Sequence, residues 1–433
     1  MTTKNDNIFR RLKNSIYQGS LNPKEEHQRF NLIFKSLILH LHPPTINKNV
    51  IKFNHTFGLG GMAVVLICLQ FITGMLLRFF YEPFPGGAYE SIVHLQNNVL
   101  FGQLIRNIHY WSAVFLILIT FLHLLRVFFS SAFHGKRQFN WVLGIVLLLL
   151  IIASNFTGYL LPWDQLSYWA VTVSTSMLDY LPVAGGFIKE LLLGGNEIGK
   201  ATLLIFYTFH TGILPLLLIV VLAFHFWRVR KAGGVVPQSD DEDKFISTVP
   251  HLVAKEFVVT LILIAFIVLL AISFDAPLLE KANPNVSPNP AKAPWYFLGI
   301  QELMLHFHPL FSAIIIPGVV FIMAVFIPYF IYNTEESGKW FYSEKGKQLS
   351  RNAVISSFLL TLAYIFLDEY VLNSIDLLDF LPAEIGEGLI PFLLILLGLF
   401  LYSKYLMNKH TANINELVLT LFIFLVTSFT VLT

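Results

Sequence analysis

Four histidines stand in two pairs on apolar segments of this chain: His109 and His123 on one, His210 and His225 on the other. The members of a pair are 14 or 15 residues apart, close to four turns at about 3.6 residues per turn, so each helix presents two imidazoles on nearly one face. Laid antiparallel, two such helices bring His109 level with His210 and His123 level with His225. That gives two bis-imidazole sites, one above the other, a ladder for two stacked haems. A lone intramembrane histidine can also be a satisfied core residue or a step in a proton path. Two matched pairs favour the ligand reading.

The elements that must position these residues are membrane spans. Of the 433 residues, 55% are hydrophobic and only 13% charged, and mean hydropathy is +0.65, far from the balance of a soluble domain. Apolar runs long enough to cross about 30 Å of hydrocarbon recur at roughly 58–80, 106–131, 140–161, 202–229, 252–273, 310–333, 353–370, 388–407 and 413–432. The expected class is all-α and integral to the membrane, a helical bundle of nine spans with a dihaem core and additional C-terminal spans. Nothing points to nucleic acid. Cys68 is the only cysteine, which rules out a disulfide framework, a cysteine-held iron–sulfur cluster and a c-type haem attachment. The polar, basic N-terminus has no signal-peptide pattern and carries an amphipathic stretch near Phe30 to His42.

Lysine and arginine alternate from loop to loop. Nine precede the first span, and the 126–137, 228–255 and 334–351 regions add three, five and four. The loop at 81–104 has none, and 371–387 is purely acidic. The basic loops are expected on the cytoplasmic side, with the N-terminus cytoplasmic, in a bacterial-type inner membrane.

Arg106 and Arg126 flank the His109/His123 segment and are candidates to meet haem propionates, although snorkelling to headgroups would also place them there. Gly60 and Gly74 in the first span, and Gly144 and Gly158 in the third, repeat at the same 14-residue period. Small residues admit a flat macrocycle or a second backbone, so these helices are expected to wall the two haems at the same two depths.

The segments LIRNIHYWSAVFLILITFLHLLRVFF, GYLLPWDQLSYWAV and FYTFHTGILPLLLIVVLAFHFWRVRKAG resemble cytochrome b of the quinol:cytochrome c and quinol:plastocyanin reductases, over roughly residues 30 to 335. The 15-residue interval in the fourth span is similar to the chloroplast type, whereas the single long chain is like the fused mitochondrial and proteobacterial type. The resemblance implies two non-covalent b-type haems: one on His109 and His210 near the outer side, one on His123 and His225 near the cytoplasmic side, about 21 Å apart along the axis. It implies no covalent haem, because Gly58 stands where the chloroplast type has its cysteine. It also implies a Q-cycle with a Rieske iron–sulfur protein and a c-type cytochrome as partners, in a homodimeric complex.

The proline-rich loop NPNVSPNPAKAPWYFLGIQELMLHFHP, residues 283 to 309, is the candidate quinol site. The family's Pro-Glu-Trp-Tyr motif reads here Ala293, Pro294, Trp295, Tyr296, so Pro294 replaces the glutamate thought to accept a quinol proton. Glu302, about two turns on, is the candidate acceptor, with Tyr296 beside it, and the lost glutamate suggests menaquinol. Trp295 and Tyr296 can equally be interface-belt aromatics, and Glu302 a structural carboxylate. Between spans three and four, Trp163, Asp164, Tyr168 and Trp169 lie in the hairpin that lines the quinol site in the family and docks the Rieske subunit. A second quinone site is expected at the cytoplasmic face near Lys231 and the Lys255–Glu256 pair, although the positive-inside rule alone would place the lysines there.

The expected organisation is an N-terminal segment (1–57), a dihaem four-helix domain (58–232), a C-terminal cytochrome b domain with the quinol loop (233–335) and an extra transmembrane region (336–433). Two other functions compete: a dihaem quinone-reactive anchor of a dehydrogenase or reductase, and a proton-coupled transporter.

Overall fold

The computed structural model describes residues 45–237, 244–288, 292–330, 338–367, 369–370 and 381–432. The amphipathic stretch at Phe30 to His42 lies outside them. Nine helices among the described residues are long and apolar enough to span a membrane: α1 (Leu59–Arg78), α2 (Gly102–Phe129), α3 (Gly135–Tyr159), α4 (Lys200–Lys231), α5 (His251–Ser273), α6 (Leu310–Tyr329), α7 (Glu344–Leu367), α8 (Glu384–His410) and α9 (Ile414–Leu432). These are the nine apolar runs of the sequence, with ends shifted by a few residues and the start of α7 by nine.

The first four helices form a bundle whose shared core, buried from water and lipid, includes Leu66, Leu116, Ile151 and Leu218, with Leu263 and Ile267 of α5 sealing one side. A second cluster joins the end of α2 and the start of α3 (Phe128, Phe133, Trp141) to Leu419 and Ile423 of α9. The C-terminal helices hold one another through hydroxyls: the buried Ser357 Oγ donates to the Phe424 carbonyl (2.6 Å) and pairs with Ser428 Oγ (2.7 Å). Short polar links of this kind suit helices that gain no hydrophobic drive from lipid.

One element departs from the all-helical expectation. Strands β1 (Thr45–Asn47) and β2 (Phe245–Ser247) pair antiparallel, Ile46 opposite Ile246. The ribbon ties the segments just ahead of α1 and α5 together, so these two helices start on one face, which four crossings require. On the opposite, charge-poor face, the Tyr81 hydroxyl donates to the Leu161 carbonyl (2.7 Å) and Lys281 pairs with Glu90 (2.5 Å). Lys281 holds the Glu90 carboxyl below its usual range.

Three spans contain a widened π-turn: Phe209–Ile213 in α4, Leu310–Ile315 in α6 and Glu384–Leu389 in α8. Each ends two residues before a proline, Pro215, Pro317 or Pro391. A proline has no N–H for the carbonyl four residues back and its ring collides with it; a wider turn relieves both problems. In α4 the widening also accounts for the odd interval. Fifteen residues of regular α-helix overshoot four turns by roughly 60°, whereas a π-turn absorbs about one residue, so His210 and His225 keep the alignment that 14 residues give α2.

Gly102, the first residue of α2, has no room for a side chain: a Cβ there would lie 2.0 Å from the Leu95 backbone oxygen. Gly102→Ala should therefore push the helix Ala88–Asn98 off α2 and cost about 1–3 kcal/mol, the usual penalty of overpacking. A thermal unfolding midpoint unchanged from the parent protein in detergent would contradict this.

Candidate functional site

α2 and α4 carry the histidines, and α1 and α3 carry the glycines that receive them. The His109 and His210 rings lie 6.1 Å apart between centroids and 81° apart in plane. Two imidazoles bound to one metal through nitrogens at about 2.0 Å hold their ring centres on the order of 6 Å apart. His109 Nδ1 meets Thr73 Oγ1 at 2.8 Å, and that hydroxyl already donates to the Leu69 carbonyl (2.6 Å), so the imidazole Nδ1–H is the donor. His210 Nδ1 likewise faces the Ser154 carbonyl at 2.9 Å. With the proton held at Nδ1, each Nε2 keeps a free lone pair for a metal. Neither Thr73 nor Ser154 stood out in the sequence, because their partners come from helices far away along the chain.

The glycine period has a one-to-one meaning. A Cβ at Gly74 would lie 3.2 Å from His109 Cε1, one at Gly60 3.3 Å from His123 Cε1, one at Gly158 2.5 Å from His210 Cε1, and one at Gly144 3.9 Å from His225 Cε1. Each imidazole edge rests on bare backbone. His123 and His225 lie within electrostatic reach of each other.

The two arginines turn out to be unequal. Arg106 donates from Nη1 to the Ala276 carbonyl (2.8 Å) and from Nη2 to the Pro277 carbonyl (2.6 Å), so it anchors a loop. Arg126 donates from Nε to the His55 carbonyl (3.0 Å), while its buried Nη2 has no hydrogen-bond partner among the described residues. A buried cationic donor left open beside the His123 level calls for an anion. No three His, Cys, Asp or Glu side chains converge among the described residues. Paired imidazoles with free Nε2, glycine-backed edges and the open Arg126 Nη2 together fit a haem with its propionates.

On the charge-poor face, the PWDQ turn grips the loop that follows α5. Asp164 Oδ1 caps the helix Gln165–Ser176 by accepting from Ser167 N (2.9 Å), and Oδ2 accepts from Leu279 N (3.1 Å). Gln165 Oε1 accepts from Asn283 N (2.6 Å), and its amide donates to the Val286 carbonyl. Gln165 N also donates to the Glu280 carbonyl (2.8 Å), and Ala282 N donates to the Trp163 carbonyl (3.0 Å). Trp163 and Tyr168 are buried in the same cluster, edge to face at 5.6 Å.

The motif residues that follow are divided. Pro294 caps a short turn, Trp295–Phe297, with Trp295 exposed and Tyr296 packed against the bundle core. Burial, then the neighbouring Tyr159 and Tyr110, push the Tyr296 hydroxyl well above its usual range, so it keeps its proton and can orient a ligand oxygen but not take its proton. Glu302 lies half-buried on the helix Leu298–His306, which supplies the helical stretch its proposed role needs.

At the basic face, the lysines of the expected site have contacts of their own. Lys255 Nζ donates to the Ile51 carbonyl (2.9 Å), which ties α5 to the segment before α1, and Lys231 Nζ sits over the Trp227 ring at 5.7 Å. Glu256 is half-buried on the first turns of α5.

Comparison with known proteins adds a name to this arrangement. The family model described as cytochrome b/b6/petB matches residues 46–233. Cytochrome b6 of Prochlorococcus marinus (strain MIT 9303) is 42% identical over 180 residues, which are 42% of this chain and 83% of the relative. Cytochrome b6 of Synechococcus sp. (strain CC9605) is 41% identical over the same extent. The whole fold is similar to a chain of a solved "Hyperthermophilic respiratory Complex III", with a TM-score of 0.65 and 21% identity over 94% of this chain and 95% of that one. With its four histidines on α2 and α4 inside the matched region, the chain belongs to the cytochrome b/b6 family.

Proposed function

We propose that this chain is the dihaem cytochrome b subunit of a respiratory cytochrome bc complex. In this reading it oxidises quinol at the charge-poor, outer face and serves a quinone-reducing site at the basic, cytoplasmic face. The observation that carries the reading is the pair of glycine-backed bis-histidine sites at two depths of one four-helix bundle. Bound b-type haems would supply one-electron redox chemistry across the membrane. His109 with His210, and His123 with His225, would hold them, with Thr73 and Ser154 keeping the first two imidazoles in the ligating tautomer. Arg126 Nη2 would meet a propionate.

Quinol oxidation releases two protons and two electrons, so the outer site needs an orienting donor and a proton acceptor. Tyr296, held neutral, fits the first role and Glu302 the second, with Trp295, Pro294 and Tyr168 proposed to line the slot. Pro294 in the motif's glutamate position favours menaquinol as substrate. At the cytoplasmic face, Lys231 and Glu256 would pass protons to a reduced quinone. A Rieske protein and a c-type cytochrome are the partners such a subunit requires, and a homodimer in the bacterial inner membrane is the assembly we propose. The "respiratory Complex III" title of the structural neighbour supports the respiratory setting.

Two outcomes follow for the haems. His210→Leu should remove one of two b-type signals in a reduced-minus-oxidised spectrum, and His225→Leu the other. Gly158→Ala, whose Cβ would lie 2.5 Å from His210 Cε1, should lose the outer signal, while Gly144→Ala, 3.9 Å from His225 Cε1, retains the inner one. Equal effects of the two glycine changes would contradict the assigned packing.

Glu302→Gln should keep both haem signals and lower the rate of quinol oxidation by about 10²-fold, the lower range for loss of a general base. Unchanged turnover in isolated membranes removes Glu302 as the acceptor.

A further inference from the structure

The turn of α2 that carries His109 also holds the start of the loop leading to the quinol motif. Asn107 is 2% exposed, and its carboxamide is fully engaged. Nδ2 donates to the Ala271 carbonyl (2.9 Å) and to Asp275 Oδ1 (2.8 Å), while Oδ1 accepts from Ala276 N (2.9 Å) and from Gln103 Nε2 (3.3 Å). Gln103 Nε2 donates to Asp275 Oδ1 as well (2.7 Å), and Trp111 Nε1 donates to the Phe274 carbonyl (2.8 Å). The Asn107 and Gln103 hydrogen bonds hold the Asp275 carboxyl below its usual range, so the clasp keeps a carboxylate acceptor at working pH. Arg106 binds the next two carbonyls, at Ala276 and Pro277, and the Asp164 grip begins at Leu279. One residue, Leu278, separates the two anchors.

We infer that Asn107 is a positioning residue for quinol oxidation, fixing the loop that leads to Tyr296 against the helix turn that presents His109. The inference rests on the proposed reading that this loop receives the quinol. The site calls for a carboxamide specifically. The group must donate to a carbonyl and a carboxylate while accepting from a backbone amide, and no hydroxyl, carboxylate or ammonium can do all three. A loop released from this clasp would shift relative to the His109/His210 pair, and misplacement by about 1 Å is enough to cost on the order of 10²-fold in rate.

The test uses the intact complex in membranes and two variants. Asn107→Asp sets a second carboxylate against Asp275 and removes both donated bonds. It should retain both haem signals and lower kcat for quinol oxidation about tenfold or more. The midpoint potential of the outer haem should shift while that of the inner haem stays put. The exchange variant Asn107→Asp/Asp275→Asn restores one carboxamide-to-carboxylate bond across the same gap but not the bond to the Ala271 carbonyl, so it should run faster than Asn107→Asp alone and stay below the parent rate. Should Asn107→Asp fail to accumulate, Gln103→Ala, which removes only the peripheral donors, carries the test with an expected loss of about threefold. A parent-like rate and outer-haem potential in haem-replete Asn107→Asp, or in Gln103→Ala where that variant stands in, would overturn the inference. So would a haem-replete exchange variant with no recovery. If the parent complex itself shows no quinol-driven haem reduction, the functional reading fails first, and that result is distinct from the others.

Discussion

Three close contacts between an imidazole edge and the bare backbone of a glycine, at Gly60, Gly74 and Gly158, set the geometry of the bundle. A ring that lies against a helix without a Cβ brings that helix close, and two such contacts 14 residues apart along α1, with one at Gly158 of α3, set the glycine helices against their histidine helices in depth. The rest of the dihaem region follows from keeping those depths matched. α2 and α4 must present their histidines at the same two levels, although α4 has one residue more between them. The π-turn at Phe209–Ile213, made favourable by Pro215, takes up that residue.

The two faces of the membrane are organised differently around this bundle. On the basic face, the β-ribbon, the Lys255 bond to the Ile51 carbonyl and the Arg126 bond to the His55 carbonyl draw the chain ahead of α1 over the end of the histidine pair. On the charge-poor face the loop after α5 has no regular structure to satisfy its backbone, and side chains do so instead: Arg106 and Asn107 from α2, Asp164 and Gln165 from the PWDQ turn. Buried backbone polar groups must find partners, and in an irregular segment those partners fix its course.

The matched relatives cover the first half of the chain, whereas the fold likeness extends over nearly all of it. The relatives are themselves short: the 180 matched residues are 83% of the cytochrome b6 chain from Prochlorococcus marinus. α1 to α4 bring histidine rings against glycine backbone, while the C-terminal helices hold one another through apolar packing and hydroxyl contacts such as Ser357 with Ser428.

Composition and spacing alone determined the membrane class, the nine spans, the two histidine pairs and the 14-residue glycine period, because these depend only on apolar run length and helical repeat. The cytochrome b/b6 family was legible in the same residues. Tertiary structure decided what spacing could not: that each glycine serves one histidine, that Thr73 and Ser154 select the imidazole tautomer, and that Arg106 anchors a loop while Arg126 keeps an open donor. It also decided that Lys255 binds the Ile51 carbonyl. These outcomes turn on which groups from distant helices meet at hydrogen-bond distance, and a periodic pattern along one helix carries no record of the neighbour it will face.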